Sequence, residues 1–386
     1  MVLQRLSGFG RALAIGAMVL ITTLITALGA LDATANPSKP RDNRSAPPLP
    51  LDWQATELTT HPLVGKIYST AAKDFINADA FAKALALARF PLLGEIHDNP
   101  DHHLWQAWGI RAISKIRGAR IVEGAPQIDM IAMEMLSVDQ YDGIDKFYGR
   151  NARVPRVRKP RAFGRMVKWK DSGWPDFKIY EPIVAQAQYE QIVLAPASPS
   201  RDANRGVSKQ GLEGYLGSEE VARLGLSKPL PQDLQGALLK EIKDSHCGLM
   251  PDAHFPRMAE VQRYRDAVMA DSLLSTGNIK GAILIAGNGH VRRDRGVALY
   301  LTDRGAEPAS IVSVGKIEVV DGQVDPAAYR VSTSGGIPLY DFVVFTPRLK
   351  RPDPCERMKE MFQRIKNQKS KSGAPASGAQ PKDNNQ

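Results

Sequence analysis

The chain carries two cysteines in 386 residues, Cys247 and Cys355, so it can hold one intramolecular disulfide at most. Neither ends the N-terminal apolar segment, which leaves no lipobox and no basis for a lipoprotein anchor. There is no repeat with a period of 20 to 50 residues, which argues against solenoids and propellers. The helical H-E-x-x-H spacing of metalloproteases is missing too. Acidic residues are absent from Arg150 to Lys170, where nine Lys or Arg fall.

The beginning of the chain is different in kind from the rest. Arg5 and Arg11 precede ALAIGAMVLITTLITALGAL and then Ala33-Thr34-Ala35, the layout of a secretory signal peptide cleaved after Ala35. The apolar run is also long enough for an uncleaved anchor, since roughly 20 apolar residues span a bilayer. Residues 36–50 read as a Pro-rich linker, 51–347 as one α/β domain and 348–386 as a basic, mostly disordered tail. An exported protein leaves the reducing cytosol, so the two cysteines can pair or stay free; the simplest reading of Cys247 is a small, inert, partly buried residue. The net charge of +10 is concentrated in the run from Arg150 to Lys170 and in RLKRPDPCERMKEMFQRIKNQKSKS; such clusters fit nucleic acid, but in an exported protein they suit an anionic membrane surface or an anionic small molecule better, with a plain solvated surface as the alternative.

Short apolar runs alternate with helix-like stretches, which predicts an α/β fold with a mixed, largely parallel sheet flanked by helices. FPLLGE reads as a strand ended by Gly94. Asn99 and Pro100 then supply an N-cap and a first-turn residue for a helix to about Arg117, stopped by Gly118. Trp105, Gly109, Ala112 and Ile116 form its inner stripe, with His102 one turn upstream, near the strand end. IDMIAMEML, QIVLAPAS, GAILIAGNGH and FVVFTP read as further strands. RMAEVQRYRDAVMADSLLS reads as a helix with Gln262 and Asp266 on one face. The stretch from about Gly206 to His254 has no clear pattern.

Polar groups collect at the predicted C-terminal strand ends, where open α/β sheets bind ligands. LLGEIHDNPDHHLWQ alone carries three of the seven histidines. Glu95 and His97 point the same way in an extended chain, and one site can gather Glu95, His97, His102, Glu134 and His290. Three uses fit those residue types. His97, His102 and His290 can ligate a divalent transition metal that activates water. Glu95, His97, Glu134 and His290 can act as acid and base without a metal. Haem is the third, with Arg158, Arg161 and Trp169 of the basic run as contributors to its pocket. His103 reads as a partly exposed first-turn residue, His246 and His254 as loop residues. Trp105, Trp108, Met133, Met135, Met258 and Met269 read as packing.

GEIHDNPDHHLWQ, AMEML followed by Gln140, WKDSGWPDFKIYEP, QRYRDAVMA and LIAGNGHVRRDRGVALYL, in that order, resemble the ChaN family of haem-binding uptake proteins. HPLVGKIYST resembles the family's opening, and the resemblance runs from about Leu51 to Leu301. It implies an exported envelope protein, periplasmic or envelope-associated, that binds haem, functions in haem or iron uptake and forms a homodimer. It also implies kinship with Tiki proteases, TraB-like proteins and erythromycin esterases, through paired Gly-x-x-His motifs at Gly94 to His97 and Gly287 to His290. From that kinship comes the alternative of a hydrolase, a peptidase or esterase, with its site at Glu95, His97, Glu134 and His290. The resemblance further implies tyrosine as the axial haem ligand: Tyr264 is the candidate, with Tyr215 and Tyr148 left open. The basic tail falls outside the family pattern.

Overall fold

The computed structural model describes residues 45–118, 127–149, 158–277, 280–329, 331–333 and 336–372. The expected signal peptide, the linker up to residue 44, residues 150–157 of the basic run and the last fourteen residues lie outside them.

The elements follow in the order β1 (Ile67–Ser69), β2 (Asp74–Ile76), α1 (Ala78–Leu87), β3 (Phe90–Leu93), α2 (Pro100–Arg117), β4 (Gln127–Ser137), α3 (Tyr141–Tyr148), α4 (Arg161–Met166), α5 (Glu181–Tyr189) and β5 (Val193–Ser198). Then come α6 (Arg201–Leu216), α7 (Ser218–Arg223), α8 (Gln232–Ser245), α9 (Phe255–Leu274), β6 (Lys280–Ile285), α10 (Val297–Asp303), β7 (Ile311–Glu318), β8 (Phe342–Thr346) and α11 (Pro354–Ser372). The strands form one sheet in the order β2-β1-β8-β7-β3-β6-β4-β5. From β8 to β5 all neighbours are parallel; β1 and β2 are antiparallel at one edge. The mixed, largely parallel sheet expected from the sequence is therefore present.

A parallel sheet needs cover on both faces, and its inner strands lose their polar alternation. β3 is buried at every position. One apolar cluster joins α6, α7, α9 and α10 to one face through Val207, Leu224, Met269 and Leu301. The other joins α1 to α5 to the opposite face through Leu85, Trp105, Phe147, Phe163 and Val184. Trp105 and Trp108 are core, as the sequence indicated.

Local signals fix the α2 boundaries. Asn99 Oδ1 accepts from Asp101 N at 2.9 Å, Pro100 opens the helix, and Gly118 closes it at φ 59°. The chain between β5 and α9, unpatterned in sequence, is helical, and Gly211 at φ 85° kinks α6. The tail also departs from expectation, because α11 occupies Pro354–Ser372. Three contacts anchor its start: Asp353 Oδ1 accepts from Cys355 N at 2.7 Å, Arg351 pairs with Asp98 and Glu318, and Cys355 is disulfide-bonded to Cys247. Cys247 is thus one end of a cross-link and not the inert residue its sequence context suggested. Among the described residues no helix is long and apolar enough to cross a membrane.

Candidate functional site: a buried histidine and carboxylate chain at the strand ends

β3, β6 and β4 lie side by side, and their C-terminal ends deliver Glu95 and His97, Gly287 to His290, and Glu134 to one place. Pairing of β4 with β5 shifts register between Met133 and Ser137, the stretch that carries Glu134. Both Gly-x-x-His glycines are sites of close approach. A Cβ on Gly94 would lie 2.4 Å from Asn288 Oδ1, and one on Gly287 would lie 2.9 Å from His97 Nε2. Each glycine therefore makes room for the other motif.

The polar groups form a chain in which imidazoles and carboxylates alternate. Asp266 Oδ1 on α9 is 2.6 Å from His290 Nδ1, and His290 Nε2 is 3.1 Å from Glu134 Oε1. Arg265 also reaches Glu134 Oε1, and Gly287 N donates to Oε2 at 2.7 Å. Glu134 Oε2 stands 3.9 Å from His97 Nε2, whose Nδ1 is 2.8 Å from Glu95 Oε1. Tyr180 Oη donates towards Glu95 Oε1 at 3.1 Å, and His103 Nδ1 lies 3.2 Å from Glu95 Oε2.

Burial alone would neutralise these groups, but their partners reverse that. Burial pushes Glu134 up, yet His290, Arg265 and His97 hold it far below the carboxylate range. Burial likewise raises Glu95, and His103 and His97 bring it well below its usual value. For His290 burial opposes the charge, but Glu134 and Asp266 lift it to about 9. Asp266 stays raised, because burial outweighs His290 there.

With both nitrogens held by carboxylates, His290 is a fixed cation. His97 differs: Glu95 orients its Nδ1, while among the described residues its Nε2 has no charged partner nearer than Glu134 Oε2. The His97 side chain is 12% exposed and lies against Trp174, ring centroids 4.8 Å apart. Of the two imidazoles beside Glu134, His97 is the more exposed.

Several sequence expectations change. His102 is not in this group: its Nδ1 accepts from Ile96 N at 2.8 Å and its Nε2 meets Thr346 Oγ1 at 2.9 Å on β8. Burial, then Lys316, holds it well below its usual value, and with both ring nitrogens engaged by Ile96 and Thr346 it has none free for a metal. His103, expected at the surface, is fully buried against Glu95, Gln106 Oε1 and His97 O. Among the described residues no group of three or more His, Cys, Asp or Glu side chains is arranged to hold a metal ion. Tyr264 is 6% exposed in the core, and burial raises it to about 12. It lies two residues from both Gln262 and Asp266, about 200° around the helix, and so faces away from the site they reach. Trp169 is buried against Tyr180 and Phe177 and offers no open face. Arg161 is exposed at the start of α4. Reasoning on the sequence missed Tyr180 and Arg265, although both lie inside motifs it singled out.

Haem needs an accessible axial donor, cations for its propionates and apolar contact. A shallow, open surface depression brings such groups together: it is lined by Arg158, Lys159, Pro160, Ala185, Gln188 and Tyr189. Tyr189, at the end of α5, is 79% exposed. These residues fit haem in kind; the strand-end site, where His290 is saturated and His97 is covered by Trp174, does not.

The family described as haem-binding uptake, Tiki superfamily, ChaN matches residues 81–301. The chain belongs to that family. A solved structure of cofacial haem binding to ChaN of Campylobacter jejuni is 21% identical, covers 72% of this chain and 95% of its own, and superposes with a TM-score of 0.52. More distant are the type III effector HopBA1 (10% identical, 70% and 92% covered, TM-score 0.36) and an erythromycin esterase in its open conformation (11%, 75% and 99%, 0.35). No curated protein matches the chain.

Proposed function

We propose that the protein is an exported, envelope-associated haem binder that serves haem or iron uptake, with haem as cargo. Beside family membership, the observation that carries this is the surface depression in which exposed Tyr189 lies next to Arg158 and Lys159. Tyr189 would supply the axial oxygen and the two cations would pair with propionates, while Pro160 and Ala185 take apolar contact. The relative from Campylobacter jejuni binds haem cofacially, and a haem on so open a surface would leave one face for a second copy of the chain. Export is supported by the arrangement of Arg5, Arg11 and Ala33-Thr34-Ala35, and by the Cys247–Cys355 disulfide, which suits an oxidising compartment. An anionic membrane surface remains the partner proposed for the basic segments.

The test is substitution of tyrosines in the full chain, read by absorption and electron paramagnetic resonance. Tyr189→Phe should remove the tyrosinate-to-iron charge-transfer band, while Tyr215→Phe and Tyr141→Phe keep it. Loss with Tyr215→Phe alone would move the site to α6.

The buried chain favours a second reading, a hydrolase in which Glu95 orients His97 as general base. Under it, His97→Ala abolishes turnover of an ester or peptide and leaves haem binding unchanged.

A further inference from the structure

Arg295, in the turn between His290 and α10, is 4% exposed, and its Nε and Nη1 donors have no hydrogen-bond partner. Buried guanidinium donors are seldom left unmet, because desolvation is not repaid. Its Nη2 reaches Glu241 Oε2 on α8, and Arg292 Nη1 reaches the same oxygen at 3.2 Å. Arg292 is held ready by buried Asp294, Nε to Oδ1 at 2.9 Å and Nη2 to Oδ2 at 2.6 Å. Two guanidinium groups therefore converge on one carboxylate oxygen.

Asp294 balances the charge of Arg292. Among the described residues Glu241 is the only ion-pair partner of Arg295. Yet the Glu241 side chain is 52% exposed, and α8 buries fully only Leu238. A buried cation is thus matched by a half-exposed carboxylate. That carboxylate also overlies the second Gly-x-x-His turn, since a Cβ on Gly289 would lie 3.7 Å from Glu241 Oε1.

We propose that Arg292 and Arg295 form a carboxylate-binding subsite beside His290, and that Glu241 occupies it until the carboxylate of a small organic acid takes its place. Convergence of two cations on one oxygen suits a carboxylate, and the resident Glu241 carboxylate already fits there in charge and size. The subsite does not depend on the haem reading, and colourless probes test it separately.

The experiment is calorimetric titration of the full, oxidised chain with acetate, succinate and inorganic phosphate. Glu241→Ala removes the resident carboxylate; with retention of the fold checked by circular dichroism, succinate should then bind at least tenfold more tightly than to the unaltered chain. Arg295→Met, added to Glu241→Ala, should abolish that gain; should the double variant fail to fold, the comparison of Glu241→Ala with the unaltered chain decides. Equal or weaker carboxylate binding after Glu241→Ala would overturn the proposal. Tighter binding of phosphate than of either acid would overturn its carboxylate assignment.

Discussion

Replacing His290 or Lys316 should reveal two opposing responses of stability to pH. Burial works against charge on His290, but Glu134 and Asp266 lift it from 6.5 to about 9. Between those values the folded chain keeps a proton that the unfolded chain releases. The contribution is complete below about pH 6.5 and is lost as pH rises through about 9. At about 1.36 kcal/mol per unit this is about 3 kcal/mol, belonging to the coupled group of Asp266, His290 and Glu134 and not to one residue. Lys316 has the opposite sign. Its ammonium donates to Gly94 O at 2.7 Å, and burial lowers it from 10.5 to about 7 against the pull of Glu95. From about pH 7 upward the unfolded chain holds the extra proton, so stability rises. Between about pH 7 and about pH 9 the two slopes cancel, and these groups leave the native profile flat. His290→Gln should then gain about 3 kcal/mol across that window relative to its own value at about pH 7, and Lys316→Met should lose about as much. Urea unfolding followed by circular dichroism, at fixed ionic strength without reductant, measures both. Profiles of both variants parallel to the native one would refute the assignment of these protons.

Two further outcomes follow from packing and cross-linking. Gly287→Ala should cost about 1–3 kcal/mol in the same unfolding assay, because its Cβ would lie 2.9 Å from His97 Nε2 and 3.5 Å from Glu134 Oε2. Ser at both Cys247 and Cys355 opens a link across 108 residues and should lower stability by up to about 4.7 kcal/mol on a chain-entropy account, measured by comparing urea midpoints.

The sequence was most legible where structure is set locally. Asn99, Pro100 and Gly118 bound α2 through their own backbone and capping chemistry, so the helix could be read to the residue. Strand ends were legible too, because an imidazole after a glycine turn has little use in packing. Adjacent residues on a helix were harder. His102 and His103 differ by about 100° of rotation, and only tertiary contact decides that His103 meets Glu95 while His102 meets Thr346. β7 escaped notice because SVGKIE interrupts its apolar run with Gly315 and with Lys316, whose burial is not a sequence property. The helices between β5 and α9 escaped because glycines at 206, 211, 214, 217 and 236 break the period. Tyr189 carries no motif; its exposure beside Arg158 arises from how α5 meets the segment before α4.

The central claim is haem binding, and the most direct measurement is a haem titration of the chain from Asn36 onward, followed through the Soret and visible bands. The account predicts saturation at one haem per chain with a high-spin, tyrosinate-type spectrum that Arg158→Ala weakens. A titration that never saturates, or a spectrum unchanged from free haem, would contradict it.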